Sequence, residues 1–87
     1  MTDIFRKHGR SLTSPPEEAV AILPDDAADL AVATRAVYVG GAGDLRVRML
    51  GGGEVTLAAV PAGTLLPLRV VRILATGTSA TALVGLW

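Results

Sequence analysis

The side chains that most often carry out catalysis are scarce in this sequence, and those present do not form a recognisable catalytic group. There is no cysteine, and the single histidine, His8, lies in a polar and basic stretch at the N-terminus. A hydroxyl nucleophile needs an adjacent base, and a pair of catalytic carboxylates needs a concave, desolvated site that an 87-residue chain can hardly build. The sequence therefore predicts that the protein is not an enzyme.

Three aspartates at short spacing, Asp25, Asp26 and Asp29, are the best candidates for metal ligands. Carboxylate oxygens suit Ca²⁺, but an EF-hand loop also needs ligands at alternate positions, a central glycine and a distal glutamate, and none of these follows. Side-chain capping of a turn explains the same residues. Without cysteine a zinc site is equally unexpected, so the sequence predicts no metal and no cofactor.

Charge and glycine content exclude two further kinds of site. The glycine stretches at 40–43 and 51–53 are not followed by a lysine and a helix, as phosphate-binding loops are. The formal net charge is zero and the basic residues are not interleaved with aromatic ones, so we expect no binding to nucleic acid. No apolar run reaches the roughly 18 residues that span a bilayer, so no membrane partner is expected.

The charges are sorted along the chain. Residues 1–10 carry +2, residues 15–30 carry five acids and no base, and residues 35–72 carry +3. This pattern indicates either electrostatic matching between segments or neighbouring copies, or simply a solvated surface, and the sequence leaves both interpretations open.

The first 16 residues have the composition of an arm preceding a domain at 17–87. They are mostly polar, lack the apolar core of a secretory signal, and end in two prolines that favour extended backbone. We therefore expect synthesis in the cytoplasm. The candidate contacts of this arm with a partner are one aromatic and three basic side chains, Phe5, Arg6, Lys7 and Arg10.

Two further interaction sites are predicted in the domain. Arg46 and Arg48 alternate with apolar residues, so they should project together from one strand, with Glu54 brought near them by a hairpin. They would hold a carboxylate of a neighbouring chain or a polyanion, or else protect the edge of a sheet. Trp87, the only tryptophan, is expected to be buried against the sheet or against a neighbour.

Short β-favouring runs separated by turn residues must position these side chains. The pattern predicts an all-β fold, a small antiparallel β-sandwich or partly open barrel of six to seven strands. We expect hairpins through residues 40–44 and 51–53. The predicted strands cover residues 17–23, 30–39 (as one long strand or two short ones), 45–49, 54–60, 64–75 and 81–87. We also expect a bulge or a crossing between sheets near Val70 and an edge position for Pro67.

The predicted core is thin. It consists of alanine, valine, leucine and isoleucine with three aromatic residues in the whole chain. A domain of this length buries only about 60% of the surface of its unfolded chain, so we expect it to be completed by identical partner subunits.

Three segments, residues 29–44, 60–71 and 74–81, closely resemble the spike base proteins of phage-like gene transfer agents and related prophages. The resemblance covers residues 17–87, in the same order. It implies a structural protein of the virion head that forms a homo-oligomeric ring, a pentamer matching the capsid vertex. It also implies two partners, the major capsid protein at the vertex and a spike fibre that engages the polysaccharide of the recipient cell.

The resemblance thus implies an adapter between the capsid and the fibre, and two alternatives to this role remain at this stage. One is a carbohydrate-binding module that contacts the capsule polysaccharide directly, although the chain has no asparagine or glutamine to recognise sugars. The other is a generic oligomeric connector of a phage tail or neck.

Overall fold

The computed structural model describes residues 16–87, and the structure there is all-β, as predicted. No helix among these residues is long and apolar enough to cross a membrane. The seven strands are β1 (Ala19–Ala21), β2 (Ala36–Gly41), β3 (Gly43–Met49), β4 (Glu54–Val60), β5 (Thr64–Leu66), β6 (Val70–Ile73) and β7 (Thr81–Leu86).

The strands form two antiparallel sheets that face each other. One sheet has the order β1-β7-β2-β5 and the other the order β4-β3-β6. Alternation along β2 and β3 turns Val37, Val39, Leu45 and Val47 inward, where they are fully buried. The core cluster joins both sheets and consists of Ile22, Val37, Val39, Leu45, Val47, Val60, Val70, Ile73, Ala80 and Leu83.

The sandwich has two unlike lateral sides. On the first side, β1 and β6 are the outermost strands, and residues 22–35 run from β1 along the outer edge of β6. Backbone bonds from Asp25 N–H to Ile73 O (2.8 Å) and from Leu30 N–H to Val71 O (2.7 Å) cover that edge. On the second side, the short turn at 61–63 joins the outermost strands β4 and β5. Among the described residues, no further strand pairs with the outer edge of β4 or of β5.

The hairpin predicted through residues 40–44 is wrong. β2 and β3 lie in different sheets, and β2 pairs with β5 and β7 instead. Gly43 allows a close approach of the chain where it changes sheets, because a Cβ there would lie 2.5 Å from the Ala80 backbone nitrogen. Gly40 allows close pairing with β7 within its own sheet, because a Cβ there would lie 2.8 Å from the Ala82 Cβ. The hairpin through residues 51–53 is confirmed, because it joins the paired strands β3 and β4.

Three of the predicted strands are too long. The strand predicted at 17–23 shortens to β1. Residues 30–35 are not a strand, although Thr34 makes backbone and side-chain bonds to β6. Residues 64–75 divide into β5 and β6, which belong to different sheets. The predicted crossing is therefore confirmed, but it occupies residues 67–69, where Pro67 follows β5 at the edge of its sheet.

A buried threonine forms hydrogen bonds with the backbone of this crossing. Thr34 is fully buried. Its hydroxyl donates to Leu68 O (2.9 Å) and accepts from Val70 N–H (3.1 Å), while its own N–H donates to Val70 O (3.0 Å). The side chain thus completes backbone hydrogen bonding at the point where the chain changes sheets.

Candidate interaction surfaces

The outward face of the three-stranded sheet carries a compact group of charges centred on Glu54. Its Oε1 accepts a bond from Arg46 Nη2 at 3.1 Å, and its Oε2 accepts bonds from Arg48 Nη2 at 2.6 Å and Nε at 3.1 Å. The bonds from Arg48 are the largest cause that lowers the pKa of Glu54 below its ordinary value of 4.5, and the charges of both arginines act in the same direction. Glu54 is therefore ionised at neutral pH.

This group retains a positive charge because two guanidinium groups share one carboxylate. Arg46 is held further by a bond to Thr76 O (3.3 Å), and its backbone N–H donates to Thr78 Oγ1 (2.9 Å). The prediction that Arg46, Arg48 and Glu54 share one face is confirmed. The alternative that the arginines protect a sheet edge is wrong, because β3 lies between β4 and β6. Their binding to a partner stays a prediction.

The three clustered aspartates act within the fold. Asp25 Oδ1 accepts a bond from the backbone N–H two residues later, which is the predicted local cap. Asp26 accepts bonds from Thr76 Oγ1 (2.6 Å) and N–H (2.9 Å), which lower its pKa, and Asp29 accepts one from Arg72 Nε (2.8 Å). Over residues 16–87, no three potential metal-binding side chains come together.

An open apolar groove of about 460 Å³ lies on the first lateral side. Trp87 forms part of its wall, and the Trp87 Nε1–H donates to Val32 O at 3.0 Å, which fixes the ring. Gly85 makes room for the ring, because a Cβ there would lie 2.7 Å from the Trp87 Cη2 atom. Val20 and Val32 are 52% and 59% exposed. The groove is lined by Glu18, Val20, Leu30, Ala31, Val32 and Trp87.

The outer edge of β4 is an unpaired strand edge on the second lateral side. Within residues 16–87, β4 pairs only with β3. It is seven residues long, whereas β1 and β5, the other outermost strands without a covering segment, have three residues each. Val55 lies opposite the buried Val47 but is itself 43% exposed, and Leu50 in the adjoining turn is 52% exposed. The outer side of this strand, called the β4 edge below, offers the exposed Val55 side chain beside unpaired backbone groups, whereas Leu50 N–H is already bonded to Arg69 O (2.9 Å) on the β6 side.

The structure brings some of the sequence-predicted residues together and separates others. Arg46 and Arg48 share one face, whereas Trp87 lies in the groove on the first lateral side and is half-buried, in agreement with its expected packing against the sheet. Phe5, Arg6, Lys7 and Arg10 lie outside the described residues.

Sequence reasoning missed both the groove and the β4 edge. The sequence pattern predicts a strand that includes residues 30–32, whereas in the structure they lie outside the strands and form a wall of the groove. The length and apolar character of β4 were visible in the sequence, but its position at an edge was not.

Comparison with known proteins gives one informative result. No protein-family model matches the sequence, and a search of curated proteins found no match. A solved structure of the capsid of a native gene transfer agent (GTA) particle, computed with C5 symmetry, contains a chain that is 45% identical to this one. The similarity covers 99% of this chain and 100% of that chain, with a TM-score of 0.81. This chain therefore belongs to the same family as that capsid component, a family of structural proteins of the gene transfer agent particle.

Proposed function

We propose that this protein forms the base of the head spike at a capsid vertex, as a ring of five identical copies. The ring is an adapter that joins the major capsid protein to a fibre that binds the surface of the recipient cell, and it works without catalysis. The observation that carries the proposal is the full-length similarity to a chain of a GTA capsid computed with C5 symmetry. Fivefold symmetry is the local symmetry of a capsid vertex.

The described surface supports an assembling role. Apolar side chains are exposed at both lateral sides of the sandwich, in the groove and at the β4 edge. A small domain with a thin aliphatic core gains stability when such surface is covered by neighbours. The charges of Arg46 and Arg48 are already organised by Glu54, so they present a fixed positive group to a partner without further ordering of the side chains.

In this proposal the basic N-terminal stretch binds the capsid or a neighbouring subunit. Its candidate contacts are Phe5, Arg6, Lys7 and Arg10. Deletion of residues 1–14 should leave a folded domain that no longer enters particles. Circular dichroism verifies folding, and mass spectrometry of purified particles measures incorporation. Incorporation at the wild-type level would refute this role of the arm.

The experiment that tests the function compares particles made with and without the protein. Particles that lack it should have normal heads but no fibres at the vertices in electron micrographs, and they should bind fewer recipient cells. Re-expression of the wild-type chain should restore both. Fibres on particles that lack the protein, or labelled protein located at the tail, would refute the adapter role at the head.

Direct binding of capsule polysaccharide is the second candidate, because the Trp87 ring and the Glu18 carboxylate line an open groove and aromatic and carboxylate groups are common in sugar sites. A glycan array with the purified ring separates the two functions. The adapter proposal expects no saccharide bound, whereas specific binding that Trp87→Ala abolishes would support the alternative.

A further inference from the structure

Building on the proposed five-copy ring, we propose that it closes through a head-to-tail contact in which the β4 edge of one copy packs into the apolar groove of the next. The occupant of the groove is thus a second copy of this chain. The contact uses one patch from each lateral side of the sandwich.

Symmetry requires two different patches on every subunit. A ring of five is built from heterologous contacts, because a self-complementary patch pairs two copies and leaves no surface for a third. The groove is concave and lies on the β1 and β6 side, and the β4 edge is an extended strand on the opposite side. The two patches therefore meet the first requirement of a closed ring.

The two patches also lie at the same end of the sandwich. Thr34, two residues after Val32, bonds to Val70, which lies opposite Met49 in the β3–β6 ladder. Met49 begins the turn that leads to β4 and Val55. Neighbours in a closed ring are related by rotation without a rise along the axis. In the proposed ring the strands run parallel to the ring axis, so the groove of one copy meets the β4 edge of the next copy at the same height along that axis.

The chemistry of the patches is complementary. Val55 is exposed at the β4 edge, and Val20 and Val32 are exposed in the groove, so the contact buries apolar side chains from both copies. The Glu18 carboxylate lies on the wall of the groove. Next to the β4 edge, two arginines share the single carboxylate of Glu54, which leaves a positive charge. Opposite charges beside an apolar contact fix its register.

Charged substitutions in each patch test the contact on the full-length chain. Val32→Asp disrupts the groove, and Val55→Asp disrupts the β4 edge; both side chains are substantially exposed, so the fold should tolerate the change. The wild-type ring should have five times the 8.9 kDa mass of one chain in native mass spectrometry or sedimentation velocity. Each single variant should fall to the mass of one chain.

Mixing the two variants gives the decisive result. The Val32→Asp chain keeps an intact β4 edge and the Val55→Asp chain keeps an intact groove, so one contact of the wild-type kind can form between them. A head-to-tail contact therefore predicts a dimer of twice the single-chain mass in the mixture, and nothing larger. A self-complementary contact predicts that the mixture behaves like each variant alone.

A control and a further variant guard against indirect effects. Tyr38→Asp changes a side chain that is 40% exposed on the outward face of β2, and it should keep the ring. Val20→Asp repeats the groove test at an independent position, and circular dichroism verifies that all variants fold.

The possible failures are distinguishable. A ring that persists in both single variants, or a mixture without a dimer, overturns the contact but leaves the proposed function standing. The contact is also overturned if deletion of residues 1–15 abolishes the ring while both single variants keep it, because the occupant would then be the N-terminal segment. A wild-type protein of single-chain mass overturns the ring and the contact together.

Discussion

Replacement of Thr34 by valine should weaken the fold strongly although valine has nearly the same shape. The hydroxyl is the partner of two backbone groups in the crossing from β5 to β6, accepting from Val70 N–H and donating to Leu68 O. Valine keeps the branched side chain and its packing but removes both hydrogen bonds. The substitution therefore isolates the contribution of the hydroxyl.

The expected magnitude follows from the burial of the two backbone groups. The bond to Val70 N–H is buried, so the donor is left without a partner at a cost of about 1–3 kcal/mol. The bond to Leu68 O is partly buried, and its loss costs about 0.5–1.5 kcal/mol. Together these give about 1.5–4.5 kcal/mol, or a fall in Tm of roughly 6–36 °C for a domain of this size.

Thr34→Ser is the matched control because it keeps the hydroxyl and removes only one buried methyl group, which costs about 1 kcal/mol. Urea unfolding followed by circular dichroism measures both free energies. All proteins must be compared at the same chain concentration, because assembly raises the apparent stability. If Thr34→Val is as stable as wild type, or more stable than Thr34→Ser, the reasoning about the two hydrogen bonds of the Thr34 hydroxyl is refuted.

Three further predictions concern the crossing, the charged face and the core. Gly43→Ala should destabilise the fold by about 2 kcal/mol or more because its Cβ would lie 2.5 Å from the Ala80 nitrogen, whereas Gly51→Ala, where a Cβ meets nothing within 4 Å, should change the stability by less than about 0.5 kcal/mol; thermal melts of equal Tm would contradict this. The lowered pKa of Glu54 stabilises the folded state above its ordinary pKa of 4.5, and this stabilisation is lost as the pH falls through the folded value. Urea unfolding from pH 7 to pH 3 should thus show a shallower loss of stability for Glu54→Gln than for wild type, and identical slopes would refute the pairing. Leu45→Ala, at a fully buried position, should lower the free energy of unfolding by about 2–5 kcal/mol in the same assay, and a loss below 1 kcal/mol would show that the core collapses around the cavity.

Local patterns were sufficient for part of this structure. The alternation of Arg46 and Arg48 with apolar residues predicted their shared face, because successive side chains of a strand point to opposite sides. The three glycines at 51–53 predicted the β3–β4 hairpin and therefore the position of Glu54 beside the arginines. Both inferences depend only on residues close together in the chain.

The sequence could not determine which strands are partners across the sandwich. The glycines at 40–43 indicate a sharp change of direction, but a hairpin and a crossing between sheets need the same local backbone freedom. The crossing is visible only in the folded chain, where β2 pairs with β5 and β7 and Gly43 lies close to the backbone of Ala80, 37 positions later. The same holds for Thr34, whose role requires Leu68 and Val70 to be brought beside it.

Composition and local periodicity by themselves determined that this chain is a small antiparallel β protein with a thin core and paired arginines, because side-chain alternation and turn chemistry act over a few residues. The tertiary structure alone decided that β4 is an open edge, that residues 30–32 leave the sheet, and that Trp87 and Val32 form a groove on the opposite side. These features depend on the order of strands in two sheets, and that order is set by the packing of residues far apart in the chain.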